Sequence, residues 1–263
     1  MHDPNLKSCV YYTDNKLGNP IRDTVRKYLT DAGIHVTCVS LSHTGFGDKQ
    51  IVLEGRQRSY PTYLYQIKTA LENAPGKYVF FCEHDVLYHP SHFEFTPPED
   101  NIFYYNNNVW RWKLHNFKLI TYDKMRPLSC LAVNREFALE HYKMRIAKME
   151  ELGLDEFRSR EPRMGRVWGY EPGTKKRRRG GFSDDECQMF SSEFPNIDIR
   201  HNRTFTSIKC EKEDFKNQPE NWREIGVDEV PGWNLREIFK EGMENHSSHT
   251  DKFYDVEPTH TSP

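Results

Sequence analysis

The chain of 263 residues is 36% hydrophobic, 13% aromatic and 29% charged, with a formal net charge of −2. So many aromatics exclude a long disordered chain, and the length suffices for one large domain or two small ones around a sizeable core. With charges nearly balanced, bulk electrostatics argue neither for nor against nucleic acid, and the fields that matter are local.

Residues 8–12 read as a short strand ending at Thr13-Asp14-Asn15. Pro20 then opens a helix to about Ala32, with Ile21, Val25, Tyr28 and Leu29 on one face and Gly33 stopping it. Residues 35–41 are β-branched and apolar, a second strand, and 51–53 a third after the loop Gly45-Phe46-Gly47-Asp48. Ser59 or Thr62 caps the next helix, which runs to about Asn73 with Tyr63, Ile67, Ala70 and Leu71 inward. Pro75-Gly76 ends it, and the apolar run 78–82 is a buried strand leading into Glu83-His84-Asp85. Such alternation of strand and helix predicts an α/β fold, a mostly parallel sheet with helices on both faces.

Beyond that point the pattern changes. Residues 102–105 and 118–122 read as strands flanking an Asn106-Asn107-Asn108 turn and the aromatic Trp110-Arg111-Trp112. Residues 135–152 form the longest predicted helix, with Phe137, His141, Met144 and Met149 among its inward candidates. The Arg-, Gly- and Pro-rich stretch 155–182 reads as a loop, a helix is expected from near Asp184, and 196–199 is a last buried strand. Past Glu244 the composition is that of a frayed tail. The six cysteines are scattered without a CxxC pair, suggesting neither a disulfide framework nor a zinc–thiolate site. No apolar stretch approaches the roughly 20 residues of a membrane span and no signal peptide opens the chain, so a soluble, cytoplasmic protein without membrane contact is expected.

Chemistry concentrates after the strand 78–82. Ligands of open α/β sheets collect beyond the carboxyl ends of the strands, and an acid-His-acid triplet there can hold a divalent cation that in turn holds a phosphate. Magnesium and manganese take oxygen ligands, with substrate phosphates completing the shell, and manganese also accepts an imidazole. Asp85 is the first metal candidate, with Glu83 nearby to orient metal or ribose, and His201, after Asp198-Ile199-Arg200, is a second ligand from the far side. A solvated loop cap explains the triplet alone; its place after a buried strand, with a second strand ending in histidine, favours a site.

Other candidates carry plain alternatives. Asp184 and Asp185 could serve as a general base ionised at a helix N-terminus, or simply cap that helix. Arg56 or Arg58 with Ser59 could bind a phosphate or a donor sugar, or belong to a solvated loop. The run Lys175-Lys176-Arg177-Arg178-Arg179 could contact a polyanion such as nucleic acid or be solvated. Trp110, Trp112, Trp168 and Tyr170 could stack on a sugar or an extruded base, or fill the core. His89 and His92 are expected on the surface after the turn at Pro90.

Strand-acid-x-acid behind two strand–helix units resembles the GT-A glycosyltransferases, over about residues 8–205. That resemblance implies a Rossmann-like, mixed but mostly parallel sheet and a Mn2+ or Mg2+ ion on the diphosphate of a nucleotide sugar. It places Tyr12, Thr13 and Asp14, at the end of the first strand, where the family receives base and ribose. The segment 180–186 is similar to the acid-rich segment that supplies the catalytic base in inverting members, and His201 to the histidine completing the metal shell. The organisation expected is one domain over 1–244, with a nucleotide-binding half at 8–95, an acceptor-side half at 96–244 and a tail at 245–263.

The chain also resembles small phage and bacterial glycosyltransferases carrying Glu-His-Asp-Val-Leu-Tyr-His-Pro and Phe-Pro-Asn-Ile-Asp-Ile-Arg-His. Some of these decorate modified bases in phage DNA, which implies a hydroxymethylated pyrimidine as acceptor, met through residues 175–179, in a host cytoplasm. The expected activity is hexosyl or pentosyl transfer from a nucleoside-diphosphate sugar to a hydroxyl. Two rivals are a nucleotidyltransferase, for which Thr13-Asp14-Asn15-Lys16-Leu17-Gly18 is a poor match to the usual glycine-rich basic loop, and a non-catalytic nucleic-acid-binding module. One departure is that Glu-His-Asp replaces Asp-x-Asp, so the first acid reaches one methylene further.

Overall fold

The computed structural model describes residues 2–114, 116–153, 171–173, 186–204 and 208–240. The first half follows the alternation of its sequence: β1 (Lys7–Thr13), α1 (Ile21–Asp31), β2 (His35–Ser40), β3 (Lys49–Val52), α2 (Tyr60–Asn73) and β4 (Tyr78–Glu83). Then come the two-residue β5 (Val86–Leu87), a 3-10 turn at Pro90–Glu94, β6 (Phe103–Asn106), β7 (Val109–Trp112), β8 (Lys118–Thr121), β9 (Leu131–Asn134) and α3 (Arg135–Glu151). The chain continues with β10 (Cys187–Phe190), β11 (Asn196–Ile199), β12 (Arg223–Gly226) and α4 (Leu235–Ile238).

Seven strands form one sheet in the order β10-β6-β9-β4-β1-β2-β3. The β4-β1-β2-β3 ladder is parallel, β10 is parallel to β6, and β9 runs antiparallel between β6 and β4. The two-residue period of a strand splits β1 cleanly. Val10 and Tyr12 pack with Leu64, Ile67 and Leu71 of α2 and Ala138, Tyr142 and Ile146 of α3. Cys9 and Tyr11 pack on the other face with Ile21, Val25 and Leu29 of α1. Helices therefore cover both faces of a mixed, mostly parallel sheet, the α/β arrangement expected.

The second half departs from expectation in several places. Trp110-Arg111-Trp112 lies within β7, in a second sheet of order β12-β8-β7-β11-β5 that the sequence did not announce. Trp112 is wholly buried, its indole N–H donating to the Asn116 carbonyl at 2.9 Å, so it is core and no stacking surface. Trp110 is half-buried against the same core. Where the helix expected from near Asp184 would continue, Cys187–Phe190 is strand β10; Asp184 and Asp185 themselves lie outside the described residues. Met144 is 46% exposed rather than inward. All six cysteines are free, and among the described residues no helix is long and apolar enough to cross a membrane.

His92 is also corrected, from surface to core. It is buried, stacked between Tyr88 and Phe190, and its Nδ1 accepts from Asn106 Nδ2 at 3.0 Å. Burial pushes its pKa down to about 3, and burial with the Arg145 charge does the same to His141. Both folded values lie below the unfolded one, so the unfolded chain binds more protons between pH 6.5 and 3, and stability is lost as pH falls through that window. The two imidazoles together should contribute a slope of about 2.7 kcal/mol per pH unit. Urea unfolding between pH 6 and 4 measures it; His92→Gln should remove about half, and an unchanged slope would refute the assignment.

Candidate functional site

Sheet register builds the site. β1 and β4 lie side by side with Tyr12 opposite Glu83, so the turns that follow, Thr13-Asp14 and His84-Asp85, leave the sheet at the same edge. β11 arrives beside β5 with Asp198 opposite Val86, and the Ile199 amide donates to the Asp85 carbonyl at 2.8 Å. That pairing brings Arg200 and His201 to the triplet from the far side.

Three side chains meet there. His84, Asp85 and His201 each offer a ligand atom, all within 4.8 Å of one another. His201 Nε2 lies 3.1 Å from Asp85 Oδ2, and His201 Nδ1 accepts from the Arg203 amide at 3.2 Å. His84 Nδ1 is 2.9 Å from Thr13 Oγ1, which also accepts from the Asn15 amide at 2.9 Å. Burial works against the Asp85 charge, but the His201 hydrogen bond and the charges of His84, His201 and Arg200 outweigh it and hold its carboxyl below the usual range. Burial lowers the His84 pKa, favouring the neutral ring. One ionised carboxylate with two imidazoles is a donor set that suits a first-row divalent cation.

Glu83 stands apart from this group. It is the last residue of β4, and the period of two sends its side chain to the face of Phe81, where Tyr12 Oη donates to Oε1 at 2.7 Å. Burial and the neighbouring Asp85 charge raise its pKa to about 8.

A cavity of about 460 Å³ opens over these residues and takes in Tyr12, Thr13, Asp14, Arg58 and Ser59. Asp14 is buried; its Oδ1 accepts from the Lys16 amide at 3.0 Å, and its Oδ2 lies 3.2 Å from Arg58 Nε and 3.9 Å from Arg203 Nη2. Gln66 of α2 holds the end of β1 by donating to the Thr13 and Val39 carbonyls at 2.8 and 3.1 Å. Ser59 is the N-cap of α2, accepting from the Thr62 amide at 3.2 Å. Of the two arginines before it, Arg58 faces the cavity; Arg56 lies over the Tyr65 ring, 3.8 Å from its centroid, and is not part of the lining.

The opposite wall comes from Arg111 of β7, from Asp198 and Arg200 of the motif that ends in His201, and from segments in which the sequence held no motif. Arg111 and Arg200 bracket Asp198 at 3.4 and 3.2 Å, and Arg111 donates to Tyr122 Oη at 2.8 Å. Arg126 and Lys209 also line the cavity, the latter 5.0 Å above the Phe215 ring, and among the described residues neither pairs with a carboxylate. No local pattern could have found them: each comes from an irregular stretch placed by the second sheet. Asp184, Asp185, the 175–179 run, Trp168 and Tyr170 lie outside the described residues.

No protein-family model and no curated protein matches the chain. Among solved structures, it is similar to a glycosyltransferase involved in glycosylation of the major capsid of PBCV-1, at 12% identity, TM-score 0.40, over 71% of this chain and 82% of that one. It is also similar to a mutant Drosophila β-1,4-galactosyltransferase 7 in complex with manganese, UDP-Gal and xylobiose, at 10% identity, TM-score 0.31, over 57% of this chain and 63% of that one. At such identities and scores neither likeness decides an activity.

Proposed function

We propose that the protein is a metal-dependent glycosyltransferase that moves a hexosyl or pentosyl group from a nucleoside-diphosphate sugar to an acceptor hydroxyl. The observation that carries this reading is one cavity lined both by the candidate cation ligand Asp85, with His201 buried against it, and by the end of β1 at Thr13 and Asp14. Mn2+ or Mg2+ held there would act as a Lewis acid toward the departing diphosphate. Tyr12, Thr13, Asp14 and Ser59 border the nucleotide, Arg58 meets the phosphates or donor sugar, and Glu83 shapes that wall through Tyr12. The acceptor oxygen bonds to the anomeric carbon as the bond to the diphosphate breaks, and Asp184 or Asp185 takes the hydroxyl proton.

For the acceptor we propose a polyanion, a hydroxymethylated pyrimidine in DNA. The Lys175-Lys176-Arg177-Arg178-Arg179 run and the uncompensated Arg126 and Lys209 support it. About 460 Å³ is a small-molecule volume, so a base would have to leave its duplex to enter. A thermal-shift panel of UDP, GDP, CDP and dTDP sugars with Mn2+ tests the donor, because a ligand of the folded state raises its apparent stability. One nucleotide sugar should raise the Tm, and adding hydroxymethylated DNA should then release nucleoside diphosphate. A shift by nucleoside triphosphates alone would overturn the reading in favour of a nucleotidyltransferase.

A further inference from the structure

Lys209 is held unlike a solvated surface lysine. Its backbone has φ +47°, in the left-handed region that a residue with a side chain rarely adopts and keeps only where its surroundings fix it. Bonds on both sides do so here. The Ile208 carbonyl accepts from Arg200 Nε at 3.2 Å, and the Cys210 and Glu211 amides both donate to Asp214 Oδ2 at 2.9 Å. Lys209 lines the cavity with its Nζ 5.0 Å from the centre of the Phe215 ring, and Tyr122 and Trp222 brace that ring edge-on at 5.3 and 5.7 Å. A ring face attracts an ammonium yet accepts no full set of hydrogen bonds, so its N–H donors stay available to an anion. Arg126 of the same lining gives Nη1 to the Gly173 carbonyl, and its buried Nε has no partner among the described residues. The carboxylates of this wall are engaged elsewhere: Asp198 lies between Arg111 and Arg200, and Glu171 pairs with Arg145.

We propose that Lys209, seconded by Arg126, is a second anion subsite of the cavity, which binds a phosphate of the acceptor and so selects a phosphate-bearing acceptor over a neutral one. The donor diphosphate has its own place in the same cavity, beside Asp85 and Arg58. The proposal rests on the glycosyltransferase reading and narrows its acceptor: the phosphate next to the hydroxymethylated nucleoside is the group that Lys209 meets. Phe215 is then a positioning residue, which aims the ammonium at that phosphate.

The test is calorimetric titration of the full chain, without donor, with three probes: hydroxymethyldeoxycytidine, its monophosphate, and a short single strand carrying the same base. Wild type should bind a phosphate-bearing probe about 10- to 100-fold more tightly than the nucleoside, by a margin that narrows as salt rises. A margin for the monophosphate assigns a free nucleotide, and one for the strand alone assigns a phosphodiester; both support the subsite. Lys209→Met keeps an unbranched chain over Phe215 without the charge and should cut the margin about tenfold, whereas Lys209→Arg should keep most of it. Lys216→Met removes an exposed lysine beside Phe215 and outside the lining, and should bind as wild type does. Nucleoside binding with no phosphate margin, or equal losses in Lys209→Met and Lys216→Met, would overturn the subsite and leave sugar transfer standing. Weakened nucleoside-diphosphate binding in Lys209→Met, with the acceptor margin intact, would also overturn it by placing the ammonium on the donor. Failure of all three probes to bind would overturn the acceptor reading and the subsite with it.

Discussion

Replacing Arg145 with Met should cost about 3–5 kcal/mol of folding stability, the penalty for leaving a buried charge without its partner. Arg145 of α3 is wholly buried; its guanidinium pairs with Glu171 and donates to Tyr60 Oη, while Tyr142 Oη donates to the same Glu171 carboxylate at 2.6 Å. Burial opposes ionisation of Glu171, but Arg145, His141 and Tyr142 hold its carboxyl below the usual range. The next two residues are pinned as well: the Pro172 carbonyl accepts from Tyr105 Oη and the Gly173 carbonyl from Arg126 Nη1, both at 2.7 Å. Gly173 has φ +80°, and a Cβ there would lie 2.3 Å from Cys187 Sγ. Glu171 and Arg126 both line the cavity, so this anchor shapes the site as well as the fold. Urea unfolding should show the loss in Arg145→Met and recover most of it in Arg145→Met with Glu171→Leu, since an apolar pair leaves no orphaned charge. A loss below about 1 kcal/mol in the single variant would mean the pair is solvated.

Asp85→Asn should reduce sugar transfer by about 10³-fold with little effect on folding. An amide oxygen still accepts from His201, and the backbone bond from Ile199 to the Asp85 carbonyl is untouched. What disappears is the anionic donor to the cation, whose charge stabilisation of the leaving group is worth several kcal/mol, at about 1.4 kcal/mol per tenfold in rate. Activity within tenfold of wild type, with unchanged Tm, would remove Asp85 from the chemistry.

Much of this was legible in the chain. From β1 to β4, apolar runs, Pro20, the Ser59 cap and Pro75-Gly76 set element types that tertiary packing did not override. Asp85 and His201 could be paired because each follows a buried strand, and the β11–β5 register joins them. The second sheet was hidden because β5, β7 and β12 are only two to four residues long, and pairing rather than propensity makes them strands. Ser183-Asp184-Asp185-Glu186 reads as a helix start, but Cys187-Gln188-Met189-Phe190 has no helical stripe behind it and pairs with β6 instead. Spacing in sequence does not say that Glu83 turns toward Tyr12 while His84 comes together with Asp85 and His201.

The most direct test of the proposed activity is release of nucleoside diphosphate by the chelator-treated full chain, given the nucleotide sugar that stabilises it and an acceptor. Turnover should appear only when Mn2+ is restored and should be lost in Asp85→Asn. Full turnover in the presence of EDTA would contradict the assignment of this site.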